Sequence, residues 1–188
     1  MAPPRIKVTR DDILTAALNL VRQSGIESLN ARNLALALGC STQPIFTHFS
    51  TMEELRSAVY SRTDEYQSTY LNEHVTLDQD VMASFGMAYI DFALAEPNLF
   101  RFLTGYDNAE DPADAVTSDD CHGQEIDPIR RLVAADDETA NAAFLDIYLY
   151  ASGLAASLVA NQIDLDRDQI KAMVTRMGAL LTAGPPTT

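Results

Sequence analysis

Several things are scarce in this chain, and each shortage removes a class of explanation. It has two cysteines, Cys40 and Cys121, far apart and without a CxxC spacing. That argues against a disulfide framework and for a reducing compartment, so a soluble, cytoplasmic protein is expected. No apolar run reads as long enough to cross a bilayer, and the opening "MAPPRIKVTRDD" lacks the apolar core of a signal peptide. We find no internal repeat and no convincing strand pattern. Catalytic motifs are missing too: no Ser/His/Asp order, no paired carboxylates, no phosphate loop. An enzyme is therefore not expected, and neither is a cofactor or a metal. His122 stands beside Cys121, Asp119 and Asp120, but the spacing matches no standard zinc pattern.

Positive charge is scarce as well, with 13 Lys and Arg against 27 Asp and Glu, a net −14. That balance argues against a protein coated in nucleic acid. The charge is uneven, however. Residues 1–62 hold seven basic and five acidic side chains (net +2), and the remainder carries −16. Such asymmetry between halves is itself a sign of a partner at the basic end.

What is present is a helical pattern with enough apolar material for a core: 188 residues, 47% hydrophobic and 21% charged. Residues 9–24 place Ile13, Leu14, Ala17, Leu18 and Val21 on one face, with Thr9 as N-cap, Asp11 and Asp12 in the first turn, and Gly25 as the stop. A short helix over about 31–38 starts at Asn30 and ends at Gly39, with Leu34, Ala35 and Leu38 inward. Ser41 is expected to cap a third helix, about 42–48, with Pro44 at its third position, where the missing N–H costs nothing. Thr51 and Glu54 form a capping box for a helix reaching about Leu71, with Leu55, Ala58, Val59 and Tyr66 inward. Further helices are expected at 79–95, 96–105, 126–134, 137–161 and 167–182, the last capped by Asp166. The acidic stretch 107–127 reads as a solvated, mobile loop and the tail 184–188 as disordered.

Two short helices joined by a tight glycine turn, preceded by a longer one, predict a three-helix helix-turn-helix. Its third helix should expose Thr42, Gln43, Thr47 and His48, and bury Ile45 and Phe49. Glutamine can donate and accept together on adenine, and a threonine methyl can meet a thymine methyl. Ser41, Thr42 and the free N–H groups can hold a phosphate. Arg5, Lys7, Arg10 and Arg32 supply charge that binds any sequence.

At these residues the chain resembles the DNA-binding domain of TetR-type (TetR/AcrR) transcriptional regulators. That pattern is an amphipathic helix, a glycine, a Thr-x-Arg-like helix start, Ile-Ala, Ala-Gly-Val-Ser, Tyr-x-His-Phe and Lys-Glu-Glu-Leu. Its counterparts are Gly25, Asn30-Ala31-Arg32, Leu34-Ala35, Leu38-Gly39-Cys40-Ser41, Phe46-Thr47-His48-Phe49 and Met52-Glu53-Glu54-Leu55. The resemblance implies DNA-contacting roles at Asn30 and Phe46 as well. Three residues depart from it: Phe46 for Tyr removes a hydroxyl that would touch a phosphate, Met52 for Lys removes a charge, and Asn30 for Thr exchanges one capping residue for another. Weaker electrostatics and a shallower salt slope are expected. More loosely, "AEPNLFRFLTG" and "IYLYASGLAASLVANQI" resemble the family's C-terminal half. They imply a homodimer through 137–161 and 167–182 and a ligand cavity in each subunit.

Structural readings stand beside these. Residues 30–49 are open to being a helical hairpin in a core. His48 is open to being a surface histidine, and Cys40 to being a small turn hydrophobe. Phe85, Tyr89, Phe92, Phe100, Phe102, Phe144 and Tyr148 are candidates both to fill a core and to line a cavity for an unknown effector, Tyr89 or Tyr148 offering a polar tip. The small residues Ala151, Gly153, Ala155 and Ala156 are expected at a dimer seam. The expected architecture is all-α: a helix-turn-helix headpiece (1–50), then a larger helical ligand-binding and dimerisation domain (51–183). The expected function is a dimeric repressor that binds a palindromic double-stranded operator and is released by a small apolar or amphipathic effector. A protein–protein adaptor with weakened DNA affinity and, further off, an enzyme using Asp91 or Asp146 are the other readings.

Overall fold

In the computed structural model, which describes residues 8–76, 81–105 and 137–182, every regular element is helical. The expectations for Arg5, Lys7, the acidic stretch, its short helix at 126–134, the group around His122 and the tail lie outside those residues. By internal contacts the chain forms two units, Met1–Tyr66 with Asn98–Tyr106, and Gln67–Pro97 with Asp107–Thr188. The expected boundary after residue 50 falls inside the first unit.

In the first unit, α1 (Arg10–Ser24) starts at Thr9. The Thr9 hydroxyl accepts from the Asp12 N–H at 3.1 Å, and the Asp12 carboxylate accepts from the Thr9 N–H at 2.8 Å. This reciprocal capping box satisfies two donors that the first turn leaves open. The apolar period then buries Ile13, Leu14, Ala17 and Val21. Gly25 (φ 76°) ends the helix in a conformation that a side chain disfavours. A 3-10 turn (Ile26–Ser28) leads to α2 (Ala31–Ala37), whose N-cap Asn30 accepts from the Asn33 N–H at 3.0 Å. Gly39 (φ 63°) turns the chain into α3 (Gln43–His48).

The start of α3 corrects one expectation. Thr42, not Ser41, occupies the N-cap position; it is already αR and makes no side-chain cap. Pro44 is consequently the second helical residue, still among the N–H groups without an intrahelical partner. Helix α4 (Met52–His74) has the expected cap, with the Glu54 N–H donating to Thr51 Oγ1 at 3.1 Å and Glu54 Oε2 accepting from the Ser50 N–H at 2.6 Å. It runs three residues beyond Leu71. His74 lies 2.7 Å through Nδ1 from the Tyr70 carbonyl and stacks on the Tyr70 ring at 4.0 Å. Helix α6 (Pro97–Gly105) returns to this unit: Asn98 Nδ2 donates to the Arg22 carbonyl at 3.0 Å, and Phe102 meets Tyr60 edge-on at 5.8 Å.

The second unit is built around α5 (Val81–Ala95), which is buried almost all round because its sequence is apolar all round. It packs on α7 (Asp137–Val159) and α8 (Arg167–Thr182). Close approach needs glycine: a Cβ on Gly86 would stand 2.7 Å from Val174 Cγ1, and one on Gly178 would stand 3.1 Å from the Ala83 backbone nitrogen. Arg167 grips Asp91 with both guanidinium nitrogens, at 2.6 and 2.7 Å. Asp166 and Gln169 form the expected cap of α8 by exchanging backbone-to-side-chain bonds. Helix α7 stops two residues early because Asn161 is left-handed (φ 54°).

Two further expectations are corrected here. Ala142–Val159 is long and apolar enough to cross a membrane by composition, with a mean hydropathy of 1.5. Its apolarity has another use, since Phe144, Ile147, Ala151, Leu154, Ala155 and Val159 are buried in the second unit. The small-residue row also divides: Ala151 and Ala155 are fully buried, whereas Gly153 and Ala156 are exposed. Steps of about 100° per residue send neighbours to opposite faces.

Candidate nucleic-acid interface

The surface offered by α3 follows from what its buried residues do. Ile45 and Phe49 are sealed in the core of the first unit, at 0% and 1% exposure. Helical geometry then forces Thr42, Gln43, Phe46 and Thr47 outward, and all four are exposed. Gln43 makes no side-chain hydrogen bond among the described residues, so both halves of its amide are available. The Thr47 hydroxyl donates back to the Gln43 carbonyl at 2.9 Å, which leaves its methyl facing solvent. Phe46 presents a phenyl ring that is 46% exposed. Ser41 precedes these on the exposed turn, and Arg32 is exposed on α2.

His48 has a different setting. It is half-buried, and its Nε2 lies 3.1 Å from the Val8 carbonyl. A carbonyl only accepts, so Nε2 is the protonated nitrogen. Next to it the Arg10 guanidinium lies 4.7 Å over the Phe49 ring. These two contacts fasten the start of α1 to the end of α3. Asn30 is likewise engaged, as the α2 cap and through Nδ2 to the Ser28 carbonyl at 3.3 Å. The Thr9 hydroxyl, and secondly the Thr9 N–H, hold the Asp12 carboxyl below its ordinary range. The sequence reading missed Leu36, 81% exposed on α2. Its position off the 34, 35, 38 face was the clue.

The seven aromatic candidates for a cavity do not share one unit. Phe100 and Phe102 belong to the first. Phe85, Tyr89, Phe144 and Tyr148 form one cluster in the second, with Phe85–Phe144 at 5.1 Å and Tyr89–Tyr148 edge-on at 5.4 Å. The Tyr89 hydroxyl lies 2.9 Å from Ser152 Oγ, which gives the cluster a polar corner. Phe92 instead meets Tyr70 edge-on at 5.5 Å. Arg167 has its pKa raised by the hydrogen bonds to, and the charge of, Asp91. Among the described residues no group of three or more His, Cys, Asp or Glu is placed to hold a metal.

A long helix followed by a short pair, with hydrogen-bonding side chains outward on the last, defines the class: a helix-turn-helix DNA-binding unit. Residues 13–59 match the family model for bacterial regulatory proteins of the tetR family. That N-terminal segment is therefore similar to the DNA-binding domain of tetR-family transcriptional regulators. The fold of the chain recurs across its length. A tetR-family regulator from Vibrio parahaemolyticus shares 18% identity over 90% of this chain and 96% of its own, with a TM-score of 0.67. A protein of unknown function from Rhodococcus sp. RHA1 shares 20% over the whole of both chains, at 0.72. A TetR variant from Acinetobacter baumannii AYE, solved in complex with minocycline, shares 19% over 94% of this chain and 96% of its own, at 0.63. Comparison with curated proteins returned no match.

Proposed function

We propose that the protein is a cytoplasmic repressor that occupies a palindromic operator as a homodimer and lets go when a small apolar or amphipathic effector binds. The observation that carries this reading is the exposed face of α3, where Thr42, Gln43, Phe46 and Thr47 stand clear of a sealed core. Residues 1–50 do the reading: Gln43 and Thr47 address base edges, Phe46 packs on the groove, and Ser41 and Arg32 meet phosphates together with Arg5, Lys7 and Arg10. Asn30 and His48 hold α2 and α3 in register for those contacts.

Residues 51–183 sense and dimerise. Only 39% of the Ala142–Val159 stretch is buried in the single chain. Its exposed residues Ala142, Asp146, Leu149, Gly153 and Ala156 recur every three or four positions and form one stripe. Leu180 on α8 adds a further exposed apolar side chain, at 64%. Such a stripe favours a second copy of the chain, and a rigid dimer sets the half-site spacing. The cluster of Phe85, Tyr89, Phe144 and Tyr148, with the Tyr89–Ser152 corner, suits an amphipathic effector. The ligand complex of the Acinetobacter relative supports this reading. Effector binding need only favour the non-binding dimer state by about 1–3 kcal/mol.

The test is fluorescence anisotropy with a duplex from the upstream region of the protein's own gene and a scrambled duplex, at two salt concentrations. Preference for the upstream duplex that survives added salt is the expected result. Equal, weak binding to both would return the protein to the adaptor reading.

A further inference from the structure

Helix α4 carries a row that recurs every four residues: Leu55, Val59, Thr63, Gln67 and Leu71, all buried. Two members are polar. Thr63 is satisfied, since its hydroxyl donates to the Val59 carbonyl at 2.7 Å. Gln67 is not. It is only 5% exposed, and its Nε2 is enclosed without a hydrogen-bond partner. Buried amides of this kind are rare because the lost water bonds are replaced by nothing. In projection Gln67 lies between Tyr70 and Leu71, and Tyr70 meets Phe92 of α5. Gln67 therefore sits on the face that α4 turns toward α5 in the second unit.

We propose that Gln67 is the polar anchor of a small-molecule site on this face, which takes an apolar ligand bearing a carbonyl oxygen. An amide nitrogen has two N–H donors and no lone pair to offer, so its complement is an acceptor. Leu71, Tyr70 and Phe92, its apolar neighbours in the second unit, select an apolar body. A hydrogen bond formed out of water discriminates strongly against the analogue that lacks the acceptor. The inference rests on the effector reading above and names the chemistry of that effector.

The experiment uses the full chain, 15N-labelled, without DNA, and pairs of probes that differ only by a ketone: acetophenone with ethylbenzene, and 2-acetylnaphthalene with 2-ethylnaphthalene. In at least one pair the ketone is expected to bind about tenfold more tightly, as one hydrogen bond of ordinary strength requires. It should also move the Gln67 side-chain amide resonances. In Gln67→Leu the preference collapses while the hydrocarbon binds as before. Gln67→Met keeps the length of the side chain but removes the donor; it serves as the second variant should the first fail to fold, and it too loses the preference. Equal affinity within both pairs, as a fixed water on the amide would produce, overturns the proposal. So does the absence of binding by both pairs, or a preference that survives either substitution. The effector reading fails separately: a ketone that binds with the expected preference but leaves DNA affinity unchanged refutes effector control and leaves the Gln67 site standing.

Discussion

Replacing Gly86 with alanine tests the tightest contact in the second unit. The added methyl would sit 2.7 Å from Val174 Cγ1 and 3.6 Å from Ile147 Cδ1. Carbon atoms are comfortable at about 3.5–4.0 Å, so Val174 must give by about 1 Å. It has little room. Val174 and Ile147 are both fully buried, and a β-branched residue in a helix has essentially one rotamer. Overpacking of this kind costs about 1–3 kcal/mol. Alanine returns about 1 kcal/mol through helix propensity, so Gly86→Ala should be destabilising by about 0–2 kcal/mol. Val174→Ala alone should cost about 2 kcal/mol in lost burial and cavity. In the double variant the new methyl enters the space that Val174 vacates, and the two costs should fall short of their sum by about 1–2 kcal/mol. Urea unfolding followed by circular dichroism, at one fixed protein concentration because association shifts apparent stability, measures all four proteins. Additivity within about 0.5 kcal/mol would refute the reasoning, as would a Gly86→Ala variant stabilised by the full propensity gain.

Four further outcomes are expected. Gln43→Ala should weaken specific binding by about 1–3 kcal/mol and relax one base position; equal losses on specific and random duplexes would remove its base-reading role. Met52→Lys should restore a charged phosphate contact and steepen the dependence of log K on log salt by about 0.9 per subunit, read from a salt series; an unchanged slope would refute the contact. The lowered pKa of Asp12 makes its capping contribution fully present above the unfolded value of 3.8 and lost as pH falls through the folded one. The stability gap between the wild-type protein and Asp12→Asn, measured by urea unfolding, should hold above about pH 5 and close in more acidic solution, and a gap constant with pH would contradict this. Leu149→Asp, placed on the exposed stripe of α7, should give a monomer in sedimentation analysis and weaken operator binding; an intact dimer would move the interface elsewhere.

Signals that span one turn were legible in the sequence, because their cause lies within that turn. Thr9 with Asp12, Asn30 with Asn33, Thr51 with Glu54 and Asp166 with Gln169 each pair a side chain with a backbone group three residues away. The burial of Ile45 and Phe49, and with it the outward face of α3, also followed from helical period alone. Long-range packing was less legible. Phe100 and Phe102 share the apolar character of Phe85 and Phe144, yet α6 returns to the first unit, and composition carries no trace of that. Ala151 and Gly153 look alike as small residues and lie on opposite sides of α7. Gln67 was hidden for another reason. Its four-residue spacing from Val59 and Leu71 was visible, but polarity at such a position reads as exposure until the helix is seen packed.

The hydrogen bond from Asn98 to the end of α1 has a practical outcome for anyone grafting this reader onto a foreign sensor. The piece that must be transplanted is discontinuous. A single splice anywhere before residue 67 would leave the Arg22 carbonyl without its amide and Tyr60 without the Phe102 edge, so a working hybrid has to import residues 98–105 as well.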